Sequence, residues 1–140
     1  MRSRGRCNRG FTLLELMVVV TVIGIVAAMS VPAIMGYTNS SRLAGAMHTL
    51  VNDIHLARSL ASSQRRTYVL RRSGSGYSLA SVSPNATVLS RAMPSGISFT
   101  AADSSTFFAW GLTQPATITL QHRGKTRRVW MTASGRVTHD

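Results

Sequence analysis

The chain has 140 residues and a formal net charge of +12, with 16 lysines and arginines against four acids. So few carboxylates exclude a side-chain calcium cage, and a single cysteine, Cys7, excludes a disulfide-held fold. The length suits one domain with a small core.

Residues 1–10 carry Arg2, Arg4, Arg6 and Arg9 and no acid, and they end in a glycine. From Phe11 to Val31 the only formal charge is Glu15. At about 1.5 Å rise per residue this apolar run spans a hydrocarbon core of roughly 30 Å, so it reads as a transmembrane helix. The basic leader keeps the amino terminus cytoplasmic and sends the rest outward. An ordinary secretory signal also joins a basic start to an apolar stretch, and Ala28-Met29-Ser30 is a tolerable cleavage site for one. Its apolar region is normally shorter, however, and it gives Glu15 no role. Cys7 is an incidental leader residue, because a lipoprotein cysteine wants apolar residues where Gly5 and Arg6 stand. An acid at full membrane depth costs about 2.5–3.5 kcal/mol, less near an interface, and usually has a partner.

The run Arg9-Gly10-Phe11-Thr12-Leu13-Leu14-Glu15 resembles a type IV prepilin signal. The resemblance implies that a prepilin peptidase cuts between Gly10 and Phe11 and that Phe11 is N-methylated. It also implies that Glu15 neutralises the new amino terminus of a staggered neighbouring subunit in a filament. The plain alternative for Glu15 is an interfacial acid that reaches headgroup water.

Past the apolar run, Pro32 and Gly36 interrupt the helical pattern, and a kink is expected at Pro32. From Leu43 the apolar positions Met47, Leu50, Val51, Ile54, Ala57 and Ala61 follow three- and four-residue spacing, with Asn52, Asp53, Arg58 and Ser59 on other faces. A helix from Phe11 to Gln64 would be roughly 80 Å long. Its second half, being amphipathic, should pack on a sheet.

Thr67 to Asp140 changes to short β-prone runs broken by Gly, Ser, Pro and Asn. The predicted strands are Thr67–Arg71, Tyr77–Val82, Thr87–Arg91, Ile97–Thr100, Thr106–Ala109, Thr117–Gln121 and Arg127–Thr132, with turns at Gly74–Gly76 and His122–Lys125. Alternation in the last hairpin gives each strand one buried and one wet face. So small a β segment needs the amphipathic helix to cover it. The expected fold is α+β: a long N-terminal transmembrane and amphipathic helix packed on a small antiparallel β-sheet domain. The boundaries are leader 1–10, membrane helix 11–37, amphipathic half 38–65 and β-rich domain 66–140.

Two later segments sharpen the likeness. Ala57-Arg58-Ser59-Leu60-Ala61 with Arg65 and Tyr68-Val69-Leu70, and the closing Val129-Trp130-Met131-Thr132-Ala133-Ser134-Gly135-Arg136-Val137, are similar to the GspH/FimT group of minor pseudopilins. Together with the leader this covers nearly the whole chain. It implies a single-pass bacterial inner-membrane subunit with a periplasmic domain, partnered by other pseudopilins or pilins in a filament and by the prepilin peptidase. The implied function is a structural part of a type II secretion pseudopilus, with no cofactor. A FimT-like minor pilin serving pilus assembly or DNA uptake is the alternative.

The basic excess supports that alternative. Losing the four leader arginines lowers the formal net only from +12 to +8. His122, Arg123, Lys125, Arg127 and Arg128 crowd the late hairpin, and Arg136 follows Gly135. They could meet DNA phosphates as a sequence-independent patch, with Trp130 or Tyr68 as a stacking face. FimT-like DNA binders use a Gly-Arg-x-Arg element. Here Thr138 stands where the second arginine belongs. A solvated basic face is the simpler reading. An enzyme is the weakest hypothesis, because His48, His55, His122 and His139 sit in no catalytic or HExxH pattern, and Gly74-Ser75-Gly76 lacks the lysine of a phosphate loop.

Overall fold

The computed structural model describes residues 11–140, the side chains of residues 30–35 excepted. The peptidase position Gly10 and the kink expected at Pro32 therefore fall outside the described residues or side chains. The chain divides into two units, the first ending at Tyr37 and the second covering Thr38–Asp140.

Helix α1 covers Leu13–Gln64. Its start is capped by Thr12, whose Oγ1 accepts the Glu15 N–H at 3.2 Å, and the Thr-x-x-Glu spacing is that of a capping box. Its end is closed by a left-handed Arg65 at φ 50°, with the Arg66 N–H donating back to the Ala61 carbonyl at 3.2 Å. This is the six-to-one bond of a Schellman motif.

In the first unit the apolar side chains from Leu13 to Met29 point outward on every side of the helix. The one hydroxyl among them, Thr21, satisfies itself by donating to the Met17 carbonyl at 2.8 Å. A helix apolar all round needs cover from lipid or from other helices. Among the described residues no helix is long and apolar enough to cross a membrane.

The second unit contains eight strands: β1 Tyr68–Ser73, β2 Gly76–Ser81, β3 Ala86–Ala92, β4 Ser98–Phe99, β5 Ser104–Phe107, β6 Ala116–His122, β7 Lys125–Met131 and β8 Val137–His139. They form two four-stranded antiparallel sheets, ordered β3-β2-β1-β5 and β4-β6-β7-β8. All seven predicted strands are present, within a few residues of their expected ends. The division into two sheets and the short β8 are not visible in the sequence, because three residues cannot display an alternating pattern. The His122–Lys125 hairpin turns through Arg123 and Gly124 at φ 46° and 78°, the paired left-handed conformation of a tight hairpin turn.

The helix stripe Leu43, Met47, Leu50, Ile54, Ala57 and Ala61 is buried as its spacing predicts, and Ala46 joins it. It belongs to one core with Tyr68, Leu70, Tyr77 and Leu79 of the first sheet and Phe99, Ile118, Leu120, Val129 and Met131 of the second. Leu50 is 0% exposed at the centre of this stripe. Leu50→Ala should lower the unfolding free energy by about 2–5 kcal/mol, the range for a buried leucine whose cavity collapses only partly. Chemical denaturation of the detergent-solubilised chain checks this.

Candidate functional site

Glu15 is the third residue of α1 and is exposed. Its charge suits the positive end of the helix dipole. Its backbone N–H is held by Thr12, so it has a local structural role beside any role in assembly. Among the described residues no cation pairs with its carboxylate, whereas Asp53, Asp103 and Asp140 each meet an arginine.

The basic residues of the late hairpin do not share a face. Strand alternation puts Arg127 with the buried Val129 and Met131, and it is half-buried there. Arg128 points the opposite way, with its guanidinium 5.4 Å from the Trp130 ring centroid and 3.6 Å from Asp140. The Asp140 carboxylate also accepts the Arg128 backbone N–H at 2.7 Å. That bond, before any charge effect, holds the carboxyl below its ordinary range. Lys125 Nζ donates to Ser40 Oγ on α1 at 2.5 Å. Arg123 sits exposed in the turn and Arg136 exposed in the loop before β8. Thr138 faces Trp130 across the β7–β8 pair.

His122, grouped with those cations by sequence, is 4% exposed. Its Nδ1 lies 2.8 Å from the Gly96 carbonyl and its Nε2 3.3 Å from Asn39 Oδ1, so it ties the hairpin to α1. Arg72 is likewise buried, bonded to Ser105 Oγ at 2.9 Å and to Asp103 at 3.3 Å. Burial lowers its pKa, and the Asp103 charge opposes that shift.

Two constellations escape sequence reading. Asp53, expected on an exposed face, is buried. It accepts the Tyr77 hydroxyl at 2.5 Å and Arg91 Nε at 2.9 Å, so the carboxylate is satisfied where the periodicity places no polar group. Arg58 reaches from α1 across two loops. Its Nε donates to the Gly111 carbonyl at 3.3 Å, and its Nη1 and Nη2 donate to the Gly135 and Ser134 carbonyls at 3.0 Å each. A planar guanidinium provides this fork and an ammonium does not. Gly135 sits at φ 79°, and a Cβ there would lie 2.6 Å from Arg58 Nε. The Arg58 segment and the Gly-Arg pair, two separate sequence signatures, are one contact.

Among the described residues no group of three or more His, Cys, Asp or Glu could hold a metal ion. His48 and His139 meet edge to face, with ring centroids 5.4 Å apart, and His55 is exposed on the helix.

Comparison with known families agrees with this geometry at both ends of the chain. A model described as the prokaryotic N-terminal methylation motif matches residues 5–31. A model described as type II transport protein GspH matches residues 46–135, a span that encloses both Arg58 and Gly135. The chain belongs to the GspH family. Among solved structures this GspH-family chain is similar to the type IV minor pilin FimU of Pseudomonas aeruginosa. The TM-score is 0.63 at 22% identity, over 74% of this chain and 92% of that one. That likeness shows the pilin fold, a helix packed on antiparallel sheets.

Gly135→Ala should destabilise the domain by about 1–3 kcal/mol, because it forces a side chain into a left-handed backbone and against Arg58. Combining it with Arg58→Ala should give less than the sum of the two single losses in a denaturation double-mutant cycle, since both act on one contact. A pH effect follows from Tyr77, whose phenol is pushed above its ordinary value by burial first and by its bond to Asp53 second. The unfolded chain ionises this phenol near pH 10, about its unperturbed value, while the folded chain keeps it protonated. The contribution is therefore full below that pH and falls as pH rises beyond it. Denaturation midpoints followed into alkali should drop more steeply in the wild type than in Tyr77→Phe.

Proposed function

We propose that this chain is a minor pseudopilin, a non-enzymatic subunit of the type II secretion pseudopilus anchored in the inner membrane. The observation that carries the reading is the joining of a methylation motif over residues 5–31 and a GspH domain over residues 46–135 in one polypeptide. On this reading the prepilin peptidase cuts between Gly10 and Phe11 and the Phe11 amine is methylated. Glu15, exposed and unpaired among the described residues, meets that amine on a neighbouring subunit. The outward apolar side chains from Leu13 to Met29 are covered by lipid before assembly and by neighbouring helices after it. The periplasmic domain then contributes contacts, and cargo is moved by the growing filament as a whole.

A minor pilin that binds DNA is the second reading, favoured by the charge of the second unit, which carries 12 lysines and arginines against three acids. The split hairpin counts against a single phosphate-binding face. Arg127 and Arg128 lie on opposite sides of β7, and Arg128 is engaged by Asp140.

The capping box separates the two roles of Glu15. Glutamine keeps the capping geometry and loses the charge, whereas alanine loses both. Glu15→Gln and Glu15→Ala should both abolish recovery of the chain in sheared filaments while leaving its membrane level unchanged. Assembly of Glu15→Gln at the wild-type level would remove the ion pair from the mechanism. Titration of the chain against duplex DNA at rising salt addresses the second reading. The pseudopilin reading expects no binding at low salt. Binding that falls steeply with salt and disappears in Arg123→Ala/Arg136→Ala would replace it.

A further inference from the structure

The chain leaving β5 makes a tight turn from Phe108 to Gly111 that carries Trp110, the most exposed large apolar side chain of the second unit at 72%. The indole lies flat on Phe108, with centroids 5.7 Å apart and 2° between the ring planes. Leu112 beside it is 49% exposed. The backbone beneath is held from several directions. The Phe108 N–H donates to the Leu112 carbonyl and the Gly111 N–H to the Phe108 carbonyl, both at 2.9 Å. Gly111 adopts φ 84°, and its carbonyl accepts from Arg58 Nε. The buried Thr113 donates its hydroxyl to the Thr132 carbonyl at 2.6 Å.

An indole left in water adds little to the fold, yet this one stands on a turn pinned to the helix and to the second sheet. A rigid exposed tryptophan loses little freedom on burial, which is what an interface anchor requires. Charge decides what covers it. The second unit has 12 bases against three acids, and Asp53, Asp103 and Asp140 are already paired with Arg91, Arg72 and Arg128. The same unit of a second copy would bring the same positive excess, with its three acids paired in the same way. We propose that Trp110, backed by Phe108 and flanked by Leu112, is an anchor that inserts into an apolar pocket on the acidic globular domain of a different subunit of the filament. This rests on the filament reading above and names the surface and the partner's chemistry within it.

The test places a photo-crosslinking amino acid at Trp110 in the full chain, expressed in its own cells. The same probe at Val88, an exposed position on β3, the opposite edge of the sheet that holds β5, is the control. Trp110→Ala and Trp110→Phe are scored for recovery in sheared filaments. The expected result is one adduct at position 110 and none at 88. Mass spectrometry should identify its other half as a chain with an N-terminal methylation motif and an acidic globular domain. Trp110→Ala should lower filament recovery about tenfold or more, as for an interface anchor, with an unchanged thermal midpoint and partial recovery in Trp110→Phe. An adduct of two copies of this chain, an adduct with lipid or nucleic acid, or no adduct at 110 overturns the proposal. So does Trp110→Ala recovered like wild type, and in that case the filament reading stands. Wild-type chain absent from the filament fraction overturns both.

Discussion

The second unit depends on one face of one helix. Leu43, Met47, Leu50, Ile54, Ala57 and Ala61 share one buried core with residues of both sheets. The stripe runs from leucine, methionine and isoleucine to alanine along the chain, and all of it is buried. Arg58 and the loops at Gly111 and Gly135 come within hydrogen-bond range. The strand arrangement, the burial of Asp53 and the placement of the Trp110 turn all follow from where that face sits.

The distribution of charge also follows from it. Three acids serve a unit with 12 bases, and each is spent on holding a structural arginine: Arg72 between the sheets, Arg91 against the helix, and Arg128 at the end of the chain. The remaining positive charge includes Arg123, Lys125 and Arg127 of the late hairpin and Arg42, Arg65, Arg66 and Arg71 elsewhere. A net charge of this sign attracts acidic neighbours in general.

Much of this was legible in the sequence, because periodicity is local. The helix from Leu13 to Gln64, the buried stripe and seven strands all announce themselves through three- and four-residue spacing or alternation, and the leader motif is a contiguous string. Side-chain bonds between distant segments leave no such trace. Asp53 looked like a wet-face residue because its partners Tyr77 and Arg91 lie on strands that had yet to be placed against the helix. His122 looked like one more cation of the hairpin, and only the docking of the turn on Asn39 shows it buried. The Arg58 segment and Gly135 each belong to a family signature, yet nothing along the chain says that the two meet.

That pairing bears on the order in which the molecule can be completed. Arg58 donates to a carbonyl 77 residues further on, near the carboxyl terminus, and the same guanidinium positions the Trp110 turn. A chain made from its amino end has its helix long before the loop that clasps it exists. All of the first sheet, and β4, β6 and β7 of the second, precede Ser134 and Gly135, so the strands that pack on the stripe are made before the clasp closes. A chain stopped before Ser134 would have every strand of the first sheet and keep only the Gly111 bond of the clasp.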